Sequence, residues 1–276
     1  MTALQQPSPA PLRVAIAGFG AIGSKVAKAL NDGIPGCELV AVSARDHARV
    51  TAEVAGFRNS VIVTDLNSLE PLADIVVECA PSELLPRILT PFLRAGKRAI
   101  VLGVGALLGH DELVALARQH RGQIIVPTGA LIGLDAVTAA AEGTIHSVRM
   151  ISRKPVRGLL GAPYLVRNKI EIEGITAPLR VFSGTAREAA IGFPANLNVV
   201  AALALAGIGP ERTTIEVWAD PGVQRNIHRI EVDADSASFS MSIENIPSEN
   251  PKTGRITALS AISYLRKLGA PLRVGS

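Results

Sequence analysis

The feature that most constrains this chain is Gly18-Phe19-Gly20-Ala21-Ile22-Gly23, a G-x-G-x-x-G spacing that closes the apolar run beginning at Leu12. A strand apolar at successive positions is buried on both faces, which a parallel sheet covered by helices provides. The glycines then have separate tasks. Gly18 permits a tight turn out of the strand, Gly20 lets the backbone approach a pyrophosphate, and Gly23 lets the next helix pack closely. Free N–H groups and the helix dipole at the helix start suit a phosphate. In that setting Gly18, Gly20, Ala21, Ile22 and Gly23 read as a dinucleotide-binding turn rather than an incidental one.

The rest of the first half agrees with an α/β, doubly wound Rossmann sheet. Short apolar runs at Glu38–Ser43, Asp74–Cys79, Arg98–Leu102 and Gln123–Val126 read as strands. Ile22–Leu30, Pro81–Ala95 and Asp111–His120 read as the helices between them. In such sheets ligands lie outside the carboxyl ends of the strands, which puts Cys79 and Ala80 beside the cofactor. Cys79 itself reads as a small packing residue. The second strand ends Val42-Ser43-Ala44-Arg45, with no carboxylate at its tip to bond a ribose 2′-OH. Ser43 and Arg45 suit the 2′-phosphate of NADP, although Arg45 reads equally well as a solvated charge. Asp46 suits a helix cap. NAD and NADP both stay open.

The texture changes near residue 143. Thr144–Ser152, Thr214–Trp218, Asn226–Val232 and Ser236–Ile243 alternate apolar and polar residues, the period of a sheet with one face wet or shared. Asp233-Ala234-Asp235 reads as a hairpin connection between two of them, and Pro194–Ala206 as a helix. A final helix, Thr257–Leu268, carries the apolar stripe Ile256, Leu259, Ile262 and Leu265, which should return to the first sheet. The expected plan is a tail over 1–11, a dinucleotide domain over 12–130 with about 251–276, and a second α/β domain with a mixed or antiparallel sheet over 131–250. The half-wet sheet suggests a homodimer or a higher homo-oligomer.

Composition removes other classes. Of the 276 residues 48% are apolar and only 3% aromatic, and the net charge is +4. Basic residues are scattered in runs no longer than Arg153-Lys154, so neither the cluster nor the aromatic platforms of a nucleic-acid binder are present. The two cysteines form no metal-site or CxxC pattern, and no metal is expected. No apolar run reaches membrane-spanning length and the N-terminus lacks a basic signal region, so a cytoplasmic protein without membrane attachment is expected.

Chemistry concentrates beyond residue 125. In the alternation of residues 226–232, His228 shares a face with Ile230 and Val232. Such a histidine is usually a core residue, but its ordinary pKa also suits a proton carrier. Asn196 and Asn198 follow Pro194 at a helix start, where an anion or carboxamide is favoured by ~0.3–1 kcal/mol. Arg153, Lys154, Arg225 and Lys252 are candidate partners for an acidic substrate, Lys154 and Lys252 ranked first.

Four ordered segments, PTGALIGLDA (127–136), FPANLNVVAALALAGIG (193–209), DPGVQRNIHRIEV (220–232) and NPKTGRITALSAI (250–262), stand with Val104-Gly105-Ala106 and the glycine turn. Together they resemble the L-aspartate dehydrogenase family from Leu12 to Leu268. The resemblance implies NAD(P)-dependent oxidative deamination of L-aspartate to iminoaspartate, then oxaloacetate and ammonia, a reaction linked to NAD biosynthesis. It implies that His228 is catalytic and that Ala130 and Asn198 touch the cofactor, with Asn196 a close second to Asn198. Thr128 keeps the hydroxyl at a position where the family pattern commonly has serine. Thr128, Lys154, Asn196, Asn226 and Lys252 are the candidate substrate contacts. Two other readings stand beside this one: another two-domain dehydrogenase or reductase of a small amino or keto acid, and a non-catalytic dinucleotide sensor.

Overall fold

A computed structural model describes residues 10–194, 197–247 and 254–275. Most of the expected tail, and the candidates Asn196 and Lys252, lie outside the described residues. The first half forms six strands: β1 (Leu12–Ala17), β2 (Cys37–Ser43), β3 (Ile62–Thr64), β4 (Ile75–Glu78), β5 (Arg98–Val101) and β6 (Gln123–Ile125). They make one parallel sheet in the order β3-β2-β1-β4-β5-β6. That order reverses between β1 and β4 and opens a crevice at their carboxyl ends.

The period-2 alternation of the strands feeds two cores. Val14 and Ile16 of β1, with Ile75 and Val77 of β4, pack toward the helices Ala21–Gly33 and Ile256–Gly269. Ala15, Ala17 and Val76 pack toward Leu85–Arg94 and Asp111–His120. Every one of these strand residues is fully buried, which is why the sequence reads as unbroken apolar runs.

The C-terminal helix does return to this sheet, with Leu265 and Ile262 of the expected stripe packed on its core and the rest of the face rotated. Ala258, Ser260, Ala261 and Leu265 are its buried positions. Ile256 and Leu259 are exposed, at 40% and 58%. Small residues let the helix approach β2 and the first helix closely; Gly269 lies against the Pro35 backbone.

The second half builds β7 (Ile145–Lys154), β8 (Leu179–Thr185), β9 (Thr213–Ala219), β10 (Asn226–Ala234) and β11 (Ser238–Asn245), in the order β11-β10-β7-β9-β8. Only β7 and β9 run parallel. The hairpin falls one or two residues later than the sequence suggests: Asp233 and Ala234 belong to β10, and the connection spans 235–237. β8 has no counterpart in the sequence reading. The helix Asn198–Ala206 is shorter than expected and apolar nearly all round, so it is buried between this sheet and the Val104–Leu107 helix of the first domain.

Candidate active site

The glycine turn has the geometry its spacing implies. Gly18 adopts φ +101°, in the left-handed region that favours glycine. A Cβ there would sit 2.5 Å from the Cys79 carbonyl oxygen, so the Cys79-Ala80 loop does lie beside the turn. A Cβ on Gly23 would collide with the Gly18 carbonyl. Gly20 is different: nothing lies within 4 Å of its virtual Cβ. No side chain caps the helix that begins at Ala21, and its first turn carries no acidic residue. Open space and uncapped N–H groups together fit a pyrophosphate.

At the tip of β2, Ser43 is buried and its carbonyl accepts the Gly18 N–H. Arg45 is exposed. Asp46 caps the next helix by accepting the Arg49 N–H, so it is occupied as a cap. Arg49 in turn donates to the Phe19 carbonyl inside the glycine turn. Glu78, at the carboxyl end of β4, accepts from the backbone N–H groups of Ala80, Leu102 and Gly103. It pins the ends of β4 and β5 together, and burial pushes its pKa up against the pull of those three donors.

Opposite this crevice, the inward row of the second sheet changes character along its length. Val148 and Met150 of β7 face Val232 and Ile230 of β10, all core. One step on, Ser152 faces His228, and the row ends with Lys154 on β7 and Asn226 on β10. Asn245 of β11 pairs with Asn226. Burial continues unbroken while the side chains turn polar: Ser152, Lys154, Asn226, His228 and Asn245 are all under 8% exposed.

Lys154, Asn226, His228 and Asn245 line a cleft of about 680 Å³, its open mouth included. Ile22, Leu102 and Val104 come from the first domain, and Thr128, Gly129, Ala130, Asn198 and Thr257 complete it. Asn198 accepts the Gly105 N–H at 2.9 Å, which joins the Val-Gly-Ala segment to the start of the buried helix. Asn245 donates to the Ala130 carbonyl at 2.9 Å. Ser260 accepts the Gly129 N–H, so the C-terminal helix also fixes this loop. The structure therefore brings together Ala130, Thr128, Lys154, Asn198, Asn226 and His228.

Electrostatics single out two groups. Burial, then the Lys154 charge, push His228 well below the ordinary histidine pKa. Its Nδ1 lies 3.0 Å from Ser152 Oγ. Burial alone draws Lys154 down to about 8. Of the other cations considered, Arg153 is held by Asp220 and stacks over Trp218, and Arg225 pairs with Glu244 at the surface. Among the described lining residues Lys154 is the only cation, and no carboxylate is present.

Ser152, Glu78 and Asn245 escaped the sequence reading. The parity of Val148 and Met150 reaches Ser152, and that of Phe239, Met241 and Ile243 reaches Asn245. Extending each alternation to its end would have found both.

Comparison with known proteins matches both halves. Residues 18–127 match the family model for the NAD-binding domain of homoserine dehydrogenase. Residues 135–268 match that for the aspartate dehydrogenase C-terminal domain. An L-aspartate dehydrogenase of Bradyrhizobium diazoefficiens is 60% identical over 98% of this chain and 96% of its own. The chain belongs to the L-aspartate dehydrogenase family. L-aspartate dehydrogenase 3 of Bordetella bronchiseptica is 58% identical over 96% of this chain and 98% of its own. The crystal structure of Thermotoga maritima aspartate dehydrogenase shares the fold, with a TM-score of 0.73 at 22% identity over 96% of this chain and 99% of that one. His228, near the polar end of β10, lines the same cleft as Pro127, Thr128, Gly129, Ala130 and Asn198.

Proposed function

We propose that the protein is an NAD(P)-dependent L-aspartate dehydrogenase, converting L-aspartate to iminoaspartate and thence to oxaloacetate and ammonia. The single observation that carries this is the cleft itself: one buried histidine and one buried lysine face the dinucleotide crevice with no acidic group among the described lining residues. A cationic, carboxylate-free pocket suits a dicarboxylate substrate.

The nicotinamide supplies the hydride acceptor when bound. The glycine turn would hold the pyrophosphate through the N–H groups of the Ala21–Gly33 helix. Asn198 and Ala130 would flank the nicotinamide half, their positions fixed by Gly105 and Asn245. Lys154 and Asn226 would meet the substrate, with Thr128 at the rim, and His228 does acid–base work there. Arg45 would read the adenosine end, NADP binding at least as well as NAD. We further place the protein in the cytoplasm as a homodimer or higher homo-oligomer; no helix among the described residues is long and apolar enough to cross a membrane.

Following absorbance at 340 nm with oxaloacetate, ammonium and each reduced cofactor tests the reading. Turnover should exceed that with other keto acids. Tight cofactor binding with no turnover of any amino or keto acid would favour a dinucleotide sensor instead.

A further inference from the structure

Two ionisable side chains share the cleft, and the structure distinguishes their work. Ser152 is fully buried and its Oγ lies 3.0 Å from His228 Nδ1. Among the described residues the hydroxyl has no other partner. A buried hydroxyl proton left without an acceptor is costly. The Ser152 O–H therefore donates to Nδ1, and the ring proton of a neutral His228 resides on Nε2. That nitrogen is then a donor and has no lone pair free to take a proton. Burial and the neighbouring Lys154 both oppose a second proton on the ring.

Lys154 is the complementary group. It stands one inward position beyond Ser152 on β7 and lines the same cleft. Among the described residues the groups around it are accounted for. His228 faces it from β10, while the Asn198–Ala206 helix, residues 127–130, Gly254 and Thr257 bring no ionisable group. Asp220, just past β9, is committed to Arg153 and the Gly222 N–H. No counter-ion among the described residues holds the lysine in its charged form, and burial lowers its pKa to about 8.

We propose that Lys154 accepts the proton of the substrate's ammonium group, while Ser152 holds His228 as a hydrogen-bond donor to the substrate. This rests on the dehydrogenase reading above. In the step, one N–H bond of the ammonium breaks and its proton joins the lone pair of Lys154 Nζ. The substrate nitrogen keeps the electron pair. That pair forms the C=N bond as the Cα–H pair departs as hydride to the oxidised nicotinamide, which the dehydrogenase reaction supplies. His228 Nε2–H is left to donate to the substrate oxygen when water has added to the imine, or to the oxaloacetate carbonyl in reverse.

The test separates base from mere anion holder. In wild type, kcat/KM for L-aspartate should rise through an apparent pKa near 8. Lys154→Arg keeps the charge but cannot deprotonate. It should lower kcat by ~10²–10⁴-fold and abolish that limb, with inhibition by succinate changed only a few-fold. Lys154→Met, suited to a buried position, should show the same loss of kcat, so misfolding of one variant does not decide the matter. If Lys154→Arg keeps kcat and the limb, changing only KM, the lysine merely holds a carboxylate and the proposal falls. Independently of activity, nitrogen-15 spectra of labelled histidine should show His228 with its proton on Nε2, unchanged between pH 6 and 9 by ~ the scale of an unshifted titration. Ser152→Ala should mix the tautomers; a wild-type proton on Nδ1 would overturn the donor assignment. Absence of aspartate oxidation by wild type would instead sink the dehydrogenase reading, and the tautomer measurement would still stand or fall alone.

Discussion

His228 occupies a core position, and the proposed reaction gives it chemistry to do. Its strand buries Ile230 and Val232 on the same face, and burial holds the ring neutral well below the usual histidine pKa. Removing a positioned hydrogen-bond donor at the reacting centre costs ~10²–10³-fold. His228→Ala should lower kcat by about that factor while leaving the cofactor dissociation constant nearly unchanged; wild-type kcat would make the residue structural. Lys154 carries a stability consequence as well. Its folded pKa of about 8 lies below the ordinary lysine value of 10.5, so the unfolded chain binds more protons between them. Stability contributed at this position therefore rises as pH rises from 8 to 10.5, and the full burial penalty is present below 8. Lys154→Met removes that penalty, of roughly 3 kcal/mol from the shift. Denaturant unfolding should find the methionine variant more stable at pH 7, with the gap closing toward pH 10.5. A gap independent of pH would mean that the lysine is charged in both states. Both residues were legible as inward positions: alternation places His228 with Ile230 and Val232, and the parity of Val148 and Met150 reaches Lys154 rather than Arg153.

Elements were legible where local pattern and burial agree. β1, β2, β4 and β5 are apolar over most of their length because both their faces are covered, and their runs mark them to within a residue or two. β3 and β8 are less distinct: β3 is a three-residue edge strand with no fully buried position, and β8 is an edge strand exposed at its start. Of the stripe expected on the last helix, Leu265 and Ile262 pack on the first core while Ile256 and Leu259 are exposed; Ala258 and Ala261 take the close-approach positions instead. At the glycine turn the two kinds of constraint can be separated. Gly20→Ala adds a methyl where nothing lies within 4 Å, so stability should stay within about 0.5 kcal/mol. The same methyl enters the space left for pyrophosphate, and cofactor affinity should fall about tenfold, or ~1.4 kcal/mol, by fluorescence titration. Unaltered affinity would show that the pyrophosphate does not approach Gly20. At the tip of β2 no carboxylate is free, since Asp46 caps the following helix. Arg45→Asp should therefore move the ratio of kcat/KM values toward NAD over NADP. An unchanged ratio would free Arg45 from any contact with the 2′-phosphate.

At the scale of the molecule, the cleft exists because two unlike sheets meet through one shared helix. Asn198–Ala206 belongs to the core of the second domain yet packs on Val104 and bonds Gly105 of the first. The second sheet buries only one face in this way. Its other face bears Arg149 bonded to Glu216 and Glu231, Arg180 beside Glu216, Arg229 beside Glu231, and Trp218 between Arg153 and Arg180. The sequence suggested an apolar surface for a partner to cover; the apolar side is instead turned inward, and the outward side is a lattice of paired charges around one indole. Exposed ion pairs contribute little by themselves, ~0–1 kcal/mol each, but desolvated in a two-fold contact they fix register as well as attraction. A homodimer through this face should therefore weaken when the network is inverted. Light scattering at micromolar concentration should report a dimer or tetramer for wild type, and Trp218→Ala with Arg149→Glu should shift it toward monomer while the cleft residues keep their places. A wild-type monomer at that concentration would refute the assembly, and an undiminished oligomer in the double variant would move the interface elsewhere on the molecule.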